Sequence, residues 1–218
     1  METIDQGTTP SVAEPSSEPE NCRNPSGRSR VSESELRDRM NRSRVPVRHR
    51  MHALAYDEPK EWAAKRRATW DIISDGGIVA LIGTRGTGKT QLAVDLVRWC
   101  CEVGRSASYL KVMDFFTGIR ATFRSDAEET EAKVIDRHAE PWYLVIDNVD
   151  RRGSSDWEDR LLTHLIDKRY DRCMGTVLIA NLDEKAFATH VGADIVDRIR
   201  DGGGLIVADW PGFRGASE

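Results

Sequence analysis

At 218 residues, with 31% charged side chains and a formal net charge of −4, the chain is long enough for one sizeable domain plus a tail. Its four cysteines, Cys22, Cys100, Cys101 and Cys173, form no C-x-x-C pair, which excludes a zinc ribbon and a disulfide framework. There is no signal peptide and no long apolar run, so a soluble, cytoplasmic protein without membrane attachment is expected.

Residues 1–30 are rich in Ser, Pro, Glu and Thr and almost devoid of large apolar side chains. Such a segment buries too little surface to fold and is expected to be a disordered tail. Charge along it is uneven: Glu2, Asp5, Glu14, Glu18 and Glu20 stand in the first 20 residues with no Lys or Arg, and nine arginines follow between residues 21 and 50. That asymmetry fits a tail that meets nucleic acid or an acidic partner, and equally a solvated leader. Ser32 with Glu35 offers a capping box for a short Arg-rich helix within residues 31–44, ending before Pro46. Leu36 and Met40 alone anchor such a helix weakly, so it is expected to fold on a partner. Residues 1–47 therefore read as an N-terminal extension and residues 48–218 as the globular domain.

Trp62, Ala63, Ala64 and Trp70 suggest a helix leading into the first strand. Strands are expected at Ile78–Ile82, Ser108–Val112, Trp142–Ile146, Thr176–Ala180 and Leu205–Ala208. Helices are expected at Thr90–Val103, Asp114–Phe123, Asp156–Arg172 and Ala193–Arg200. Five short apolar strands separated by helices imply an α/β fold, a parallel sheet covered on both faces. Ligand should then sit at the carboxyl ends of the strands.

The stretch Gly83-Thr84-Arg85-Gly86-Thr87-Gly88-Lys89-Thr90 falls between the first strand and its helix. It is a G-x-x-x-x-G-K-T loop in the context the motif needs. Its glycines let backbone amides wrap a polyphosphate, and the helix N-terminus adds partial positive charge. Lys89 would reach the terminal phosphates and Thr90 would hold Mg2+. The apolar strand Trp142-Tyr143-Leu144-Val145-Ile146 ends in Asp147, which fits a second, Walker B carboxylate acting on Mg2+ beside Thr90. Asn148 follows where many ATPases carry an acid. An amide orients water but does not take its proton, so nucleotide binding is better supported than fast hydrolysis, with Asp150 as a substitute acid. Asn181 ends another buried strand, either as a hydrogen-bonding reporter beside the terminal phosphate or as a turn residue before Leu182-Asp183. Arg198 and Arg200 close a helix ahead of Gly202-Gly203-Gly204. There an arginine would serve as a finger for a neighbouring subunit or simply lie on the surface.

Taken together these residues resemble the AAA+ ATPases of the DnaC-type helicase loader group, including the related IstB-type transposition helpers. The resemblance covers roughly residues 48–214. Its more specific parts are Ile119-Arg120-Ala121-Thr122-Phe123-Arg124, Val196-Asp197-Arg198-Ile199-Arg200 and Trp210-Pro211-Gly212-Phe213-Arg214. It implies the AAA+ P-loop three-layer sandwich, ATP and Mg2+ as cofactors, ATP hydrolysis, Asn181 as sensor 1, Arg198 as arginine finger and Arg214 as the late sensor arginine. It further implies a self-associating assembly that places a replicative hexameric DNA helicase on single-stranded DNA. Here only the Arg-rich segment of the extension is available to grip the helicase. Phe123, Ser155 and Trp157 fall where loaders contact single-stranded DNA. Their rival readings are core packing for Phe123, on one helical face with Phe115 and Ile119, and a capping box with Glu158 for Ser155. The chain ends soon after Arg214, so neither a helical lid nor a separate DNA-binding domain is expected. A transposition helper and a non-hydrolysing, nucleotide-gated adaptor are the alternative functions.

Overall fold

The computed structural model describes residues 31–51, 60–153 and 155–210. The tail through residue 30 and Arg214 lie outside the described residues. Three helices come first: α1 (Glu33–Arg42), α2 (Val47–Met51) and α3 (Lys60–Ser74). Strands and helices then alternate through β1 (Ile78–Gly83), α4 (Lys89–Glu102), β2 (Ala107–Lys111), α5 (Val112–Ala121), α6 (Glu131–Ala139) and β3 (Tyr143–Asp147). A 3-10 turn (Val149–Arg151) leads to α7 (Asp156–Tyr170), β4 (Gly175–Ile179), α8 (Glu184–Val191), α9 (Ala193–Gly202) and β5 (Gly204–Ala208).

The five strands form one parallel sheet in the order β2-β3-β4-β1-β5. Alternate side chains feed two cores, one on each face. Ile78, Ala80, Ile82, Leu144, Ile146 and Leu178 pack under α5 to α9, whereas Val79, Leu81, Tyr143, Val145, Val177 and Ile179 pack under α3 and α4. Both faces of each central strand are buried, which is why the strands read as continuous apolar runs. The expected three-layer sandwich is the fold observed.

The glycine run ahead of β5 has a steric reason. A Cβ on Gly203 would lie 1.7 Å from the Ile78 carbonyl oxygen, so only glycine lets the chain turn in beside β1. Three helices were not expected from the sequence: the short α2, α6 and α8. In α6 the Thr130 hydroxyl caps the Lys133 amide (3.4 Å) and Val134, Ile135 and His138 face inward. In α8 the Asp183 carboxylate caps the Ala186 amide (2.8 Å), above the buried pair Phe187 and Val191. Leu182-Asp183 reads locally as a turn because the same short polar side chain starts both structures.

Helix α1 forms within the expected span, and Ser32 caps the Glu35 amide at 3.3 Å. Leu36 and Met40 pack against the core of the α4 face. The Ser43 carbonyl accepts the Tyr109 amide of edge strand β2 at 2.7 Å, and Val45 is buried. Helix α1 thus packs on the domain. Among the described residues no helix is long and apolar enough to cross a membrane.

A guanidinium at the centre of the fold ties layers together. Arg169 is fully buried without a carboxylate partner among the described residues. It donates to Thr176 Oγ1 (2.8 Å) and to the carbonyls of His138 (3.3 Å), Ala139 (3.0 Å), Pro141 (2.8 Å) and Gly175 (2.7 Å). One side chain thereby joins α7, the α6–β3 connection and the start of β4. Burial pushes it down to about 9, which leaves it charged near neutrality.

Candidate nucleotide-binding site

Strand β1 delivers the chain to Gly83, where φ is +125° and a Cβ would lie 2.7 Å from the Ala208 carbonyl. The loop then closes onto α4, whose N-cap is Gly88 at φ +81° with no side chain capping its first amides. Uncapped amides at the start of a 14-residue helix, preceded by glycines in the left-handed region, make the cradle that phosphate oxygens fit. Thr84 and Arg85 are exposed on the rim, Gly86 is half-buried, and Thr87 is buried beneath them.

Lys89 is buried, and its Nζ donates to the carbonyls of Gly83 (2.9 Å) and Thr84 (2.5 Å), with Thr87 Oγ1 at 3.4 Å. Desolvation lowers the ammonium's pKa, opposed by the charges of Asp147 and Asp150. The lysine is thus held in the mouth of the loop, next to two carboxylates.

Asp147 gathers three donors. Thr90 Oγ1 lies 3.2 Å from its Oδ2, the Tyr109 hydroxyl 2.5 Å from the same oxygen, and the Asn148 amide 2.7 Å from Oδ1. A hydroxyl and a carboxylate side by side are hard oxygen ligands of the kind Mg2+ takes, so the donor set fits that ion. Tyr109 was not singled out in the sequence. It sits on β2 in register with Val145 of β3, and only the sheet pairing brings it to Asp147. Burial first, then the Asp147 charge, pushes its phenol far up, so it stays a donor.

Asn148 has φ +58° and ψ +42°. Asparagine enters that left-handed region more readily than most residues, which gives position 148 a backbone role beside any chemical one. Asp150, on the 3-10 turn that follows, accepts from Asn181: Oδ1 lies 3.2 Å from the backbone amide and 3.4 Å from Nδ2. Asn181 and Asp150 are therefore paired with each other at the carboxyl ends of β3 and β4. A further support comes from Trp210, which is buried and donates its Nε1 to the Thr87 carbonyl at 2.7 Å.

Arg198 is not at this loop. It lies on α9 with Nε 3.3 Å from Asp167 Oδ1 and its guanidinium 4.7 Å from the Tyr170 ring centroid. It is engaged with α7 of its own chain, about a third exposed.

The other three residues of interest do come together. Helix α5 ends at Ala121, so Phe123 leaves the buried face of Phe115 and Ile119 and is 61% exposed. The rival reading of Phe123 as a core residue does not hold. Its ring meets Trp157 edge-on at 6.1 Å, and Arg120 covers Trp157 at 4.9 Å. Ser155 caps the Glu158 amide at 3.3 Å, whereas Glu158 turns to the Gly153 amide (2.6 Å) and to Arg120 (3.0 Å). The capping box is half formed.

A family model described as IstB-like ATP binding protein matches residues 29–199. The chain belongs to that family. Among curated relatives it is similar to the replicative helicase loader DnaC of Buchnera aphidicola (strain Bp), 26% identical over 133 residues, 61% of this chain and 54% of the relative. It is similar also to the replicative helicase loader DnaC of Escherichia coli K12, 26% identical over 143 residues, 64% of this chain and 58% of the relative. The chain spans little more than half the length of these relatives. Among solved structures, a crystal structure of the DnaC helicase loader superposes with a TM-score of 0.62 at 19% identity, covering 74% of this chain and 99% of that one. That likeness shows the AAA+ fold. The resemblance to the DnaC/IstB group thus holds at the level of the family, and with it ATP binding.

Proposed function

We propose that this protein is a cytoplasmic, magnesium-dependent ATPase that self-associates and delivers a replicative hexameric helicase onto single-stranded DNA. The observation that carries the chemistry is the 3.2 Å contact between Thr90 and Asp147, two residues far apart in sequence that meet beside the glycine loop. When bound, magnesium-ATP supplies the phosphoanhydride and the negative charge that the loop surrounds. On this reading, Gly83 to Thr90 bind the phosphates and Lys89 exchanges two loop carbonyls for phosphate oxygens. Thr90 and Asp147 would hold Mg2+, and Arg214, the second sensor arginine, would contact the nucleotide. Asn181, now on Asp150, orients toward the terminal phosphate, and Asp150 is the acid near the site where Asn148 offers none. Arg198 would leave Asp167 to reach a neighbouring subunit's nucleotide, where positioned charge lowers the barrier to phosphoryl transfer. The extension grips the helicase through the exposed side of α1, which carries Arg37, Asp38 and Asn41. Phe123 and Trp157 give a base-stacking surface, Arg120 adds positive charge, and Ser155 fixes the helix that bears Trp157.

ATP turnover with and without single-stranded DNA tests the enzyme. The expected result is slow, DNA-responsive hydrolysis abolished in Lys89→Ala. Binding without turnover would favour the non-hydrolysing adaptor, for which the amide at Asn148 speaks. Co-purification with a hexameric helicase against a transposase separates the loader from the transposition helper.

A further inference from the structure

At the amino ends of β2 and β3, opposite the nucleotide loop, the chain builds a second basic site. A cavity of about 330 Å3 is lined by Arg39 and Arg42 of α1, Arg44 just after it, Arg105 ahead of β2, and Arg137 of α6. Two of these guanidinium groups are balanced: Arg39 by Glu35 at 2.7 Å and Arg137 by Glu129 at 2.6 Å. Arg42, Arg44 and Arg105 have no carboxylate partner among the described residues. Arg105 lies over the Trp142 ring at 5.1 Å, and its Nε is buried with no acceptor, as is the Nε of Arg137.

Like charges gathered round one cavity repel, and an anion relieves that repulsion. The field is felt locally. Burial first, then Arg137, Arg44 and Arg169, pushes the His138 imidazole down to about 4. The backbone adds a donor. The Tyr109 amide points away from β3 to Ser43, so the Ala107 amide, two residues earlier on the same strand, faces the same open edge. The remaining lining is Cys101, Ser106, Ala107, Ser108, His138 and Pro141. It offers no large apolar pocket of the sort that anchors a peptide side chain. Planar guanidinium forks with unfilled donors match phosphate oxygens.

We infer that this arginine cavity binds phosphates of a nucleic-acid backbone, as a second contact separate from the Phe123–Trp157 surface and at the opposite end of the sheet. Sequence-independent grip here would hold the strand, while the aromatic surface meets bases.

The test uses the full chain and a fluorescein-labelled oligothymidylate, with binding followed by anisotropy across a salt series. Arg42 and Arg44 are exposed, so Arg42→Ala with Arg44→Ala should leave melting and nucleotide binding unchanged. Loss of two phosphate contacts should weaken binding several-fold and lower the slope of log affinity against log salt by about 1.4. A control that removes two exposed charges elsewhere, Lys60→Ala with Lys185→Ala, should leave that slope as in wild type. Trp157→Ala should weaken binding without changing the slope, which separates failure of this inference from failure of the aromatic surface. An unchanged slope in the arginine variant overturns the inference. So does a variant that loses pyrophosphate binding measured by calorimetry with the glycine loop already filled by nucleotide, but keeps its oligonucleotide affinity. Loss of helicase co-purification with DNA binding intact overturns it as well, since the cavity would then serve a protein's carboxylates.

Discussion

Tyr109→Phe is the sharpest structural perturbation of the Walker B carboxylate. It removes one oxygen and keeps a ring that is 5% exposed and packed against the α4 face. That oxygen donates to Asp147 Oδ2 at 2.5 Å, alongside Thr90 at 3.2 Å. A hydrogen bond to a charged group contributes about 1.5–3 kcal/mol, and a domain of this size shifts by roughly 2–4 °C per kcal/mol, so the melting temperature should fall by about 3–12 °C. The carboxylate also loses the contact that fixes its rotamer from the β2 side. The Mg2+ concentration needed for half-maximal nucleotide binding should therefore rise, while metal-free nucleotide binding stays as in wild type. Differential scanning fluorimetry, followed by a Mg2+ titration with a fluorescent ATP analogue, reads both. A Phe variant that melts within about 1 °C of wild type and keeps its Mg2+ midpoint would refute the reasoning.

Three further outcomes are expected. Arg169→Met leaves four carbonyls and the Thr176 hydroxyl short of their buried donor; urea unfolding should show a loss of at least about 3 kcal/mol, since even two unsatisfied groups reach that scale. The His138 imidazole is pushed down to about 4 in the folded chain, below its unfolded value near 6.5. Between those values the unfolded chain takes up a proton that the folded chain refuses. Stability is therefore full above about pH 6.5 and falls by about 1.4 kcal/mol per pH unit down to about pH 4. In His138→Phe, unfolding measured across that range should lack this component. Trp210→Phe keeps an apolar ring but leaves the buried Thr87 carbonyl without its 2.7 Å donor; nucleotide affinity should fall while the Mg2+ midpoint stays unchanged.

The strands were legible because a strand buried on both faces is written as an unbroken apolar run, and Ile78–Ile82 and Tyr143–Ile146 are such runs. Helices α6 and α8 were not, because each is short and its cap residue, Thr130 or Asp183, has equal claim to a turn. Within the candidate site the same division holds. Gly83 to Thr90 are contiguous, and Asp147 ends an apolar strand, so local spacing points to them. Tyr109, Trp210 and the Asp150–Asn181 pair depend on strands that meet only through the β2-β3-β4-β1-β5 order. Helical periodicity offered the core as a rival place for Phe123 because it carried the helix past Ala121, where the chain stops being helical. Two apolar side chains on α1 gave too little signal for its docking, which rests also on the Ser43–Tyr109 backbone bond and buried Val45.

The most direct measurement of the central claim is Mg2+-dependent binding of a fluorescent ATP analogue to the full chain, compared with Lys89→Ala and Asp147→Asn. Saturable binding is expected in wild type. It should be lost in Lys89→Ala, and in Asp147→Asn only its Mg2+-dependent part should disappear. Wild-type protein that is folded by circular dichroism yet takes up no nucleotide, or a Lys89→Ala variant that binds as tightly as wild type, would contradict the account.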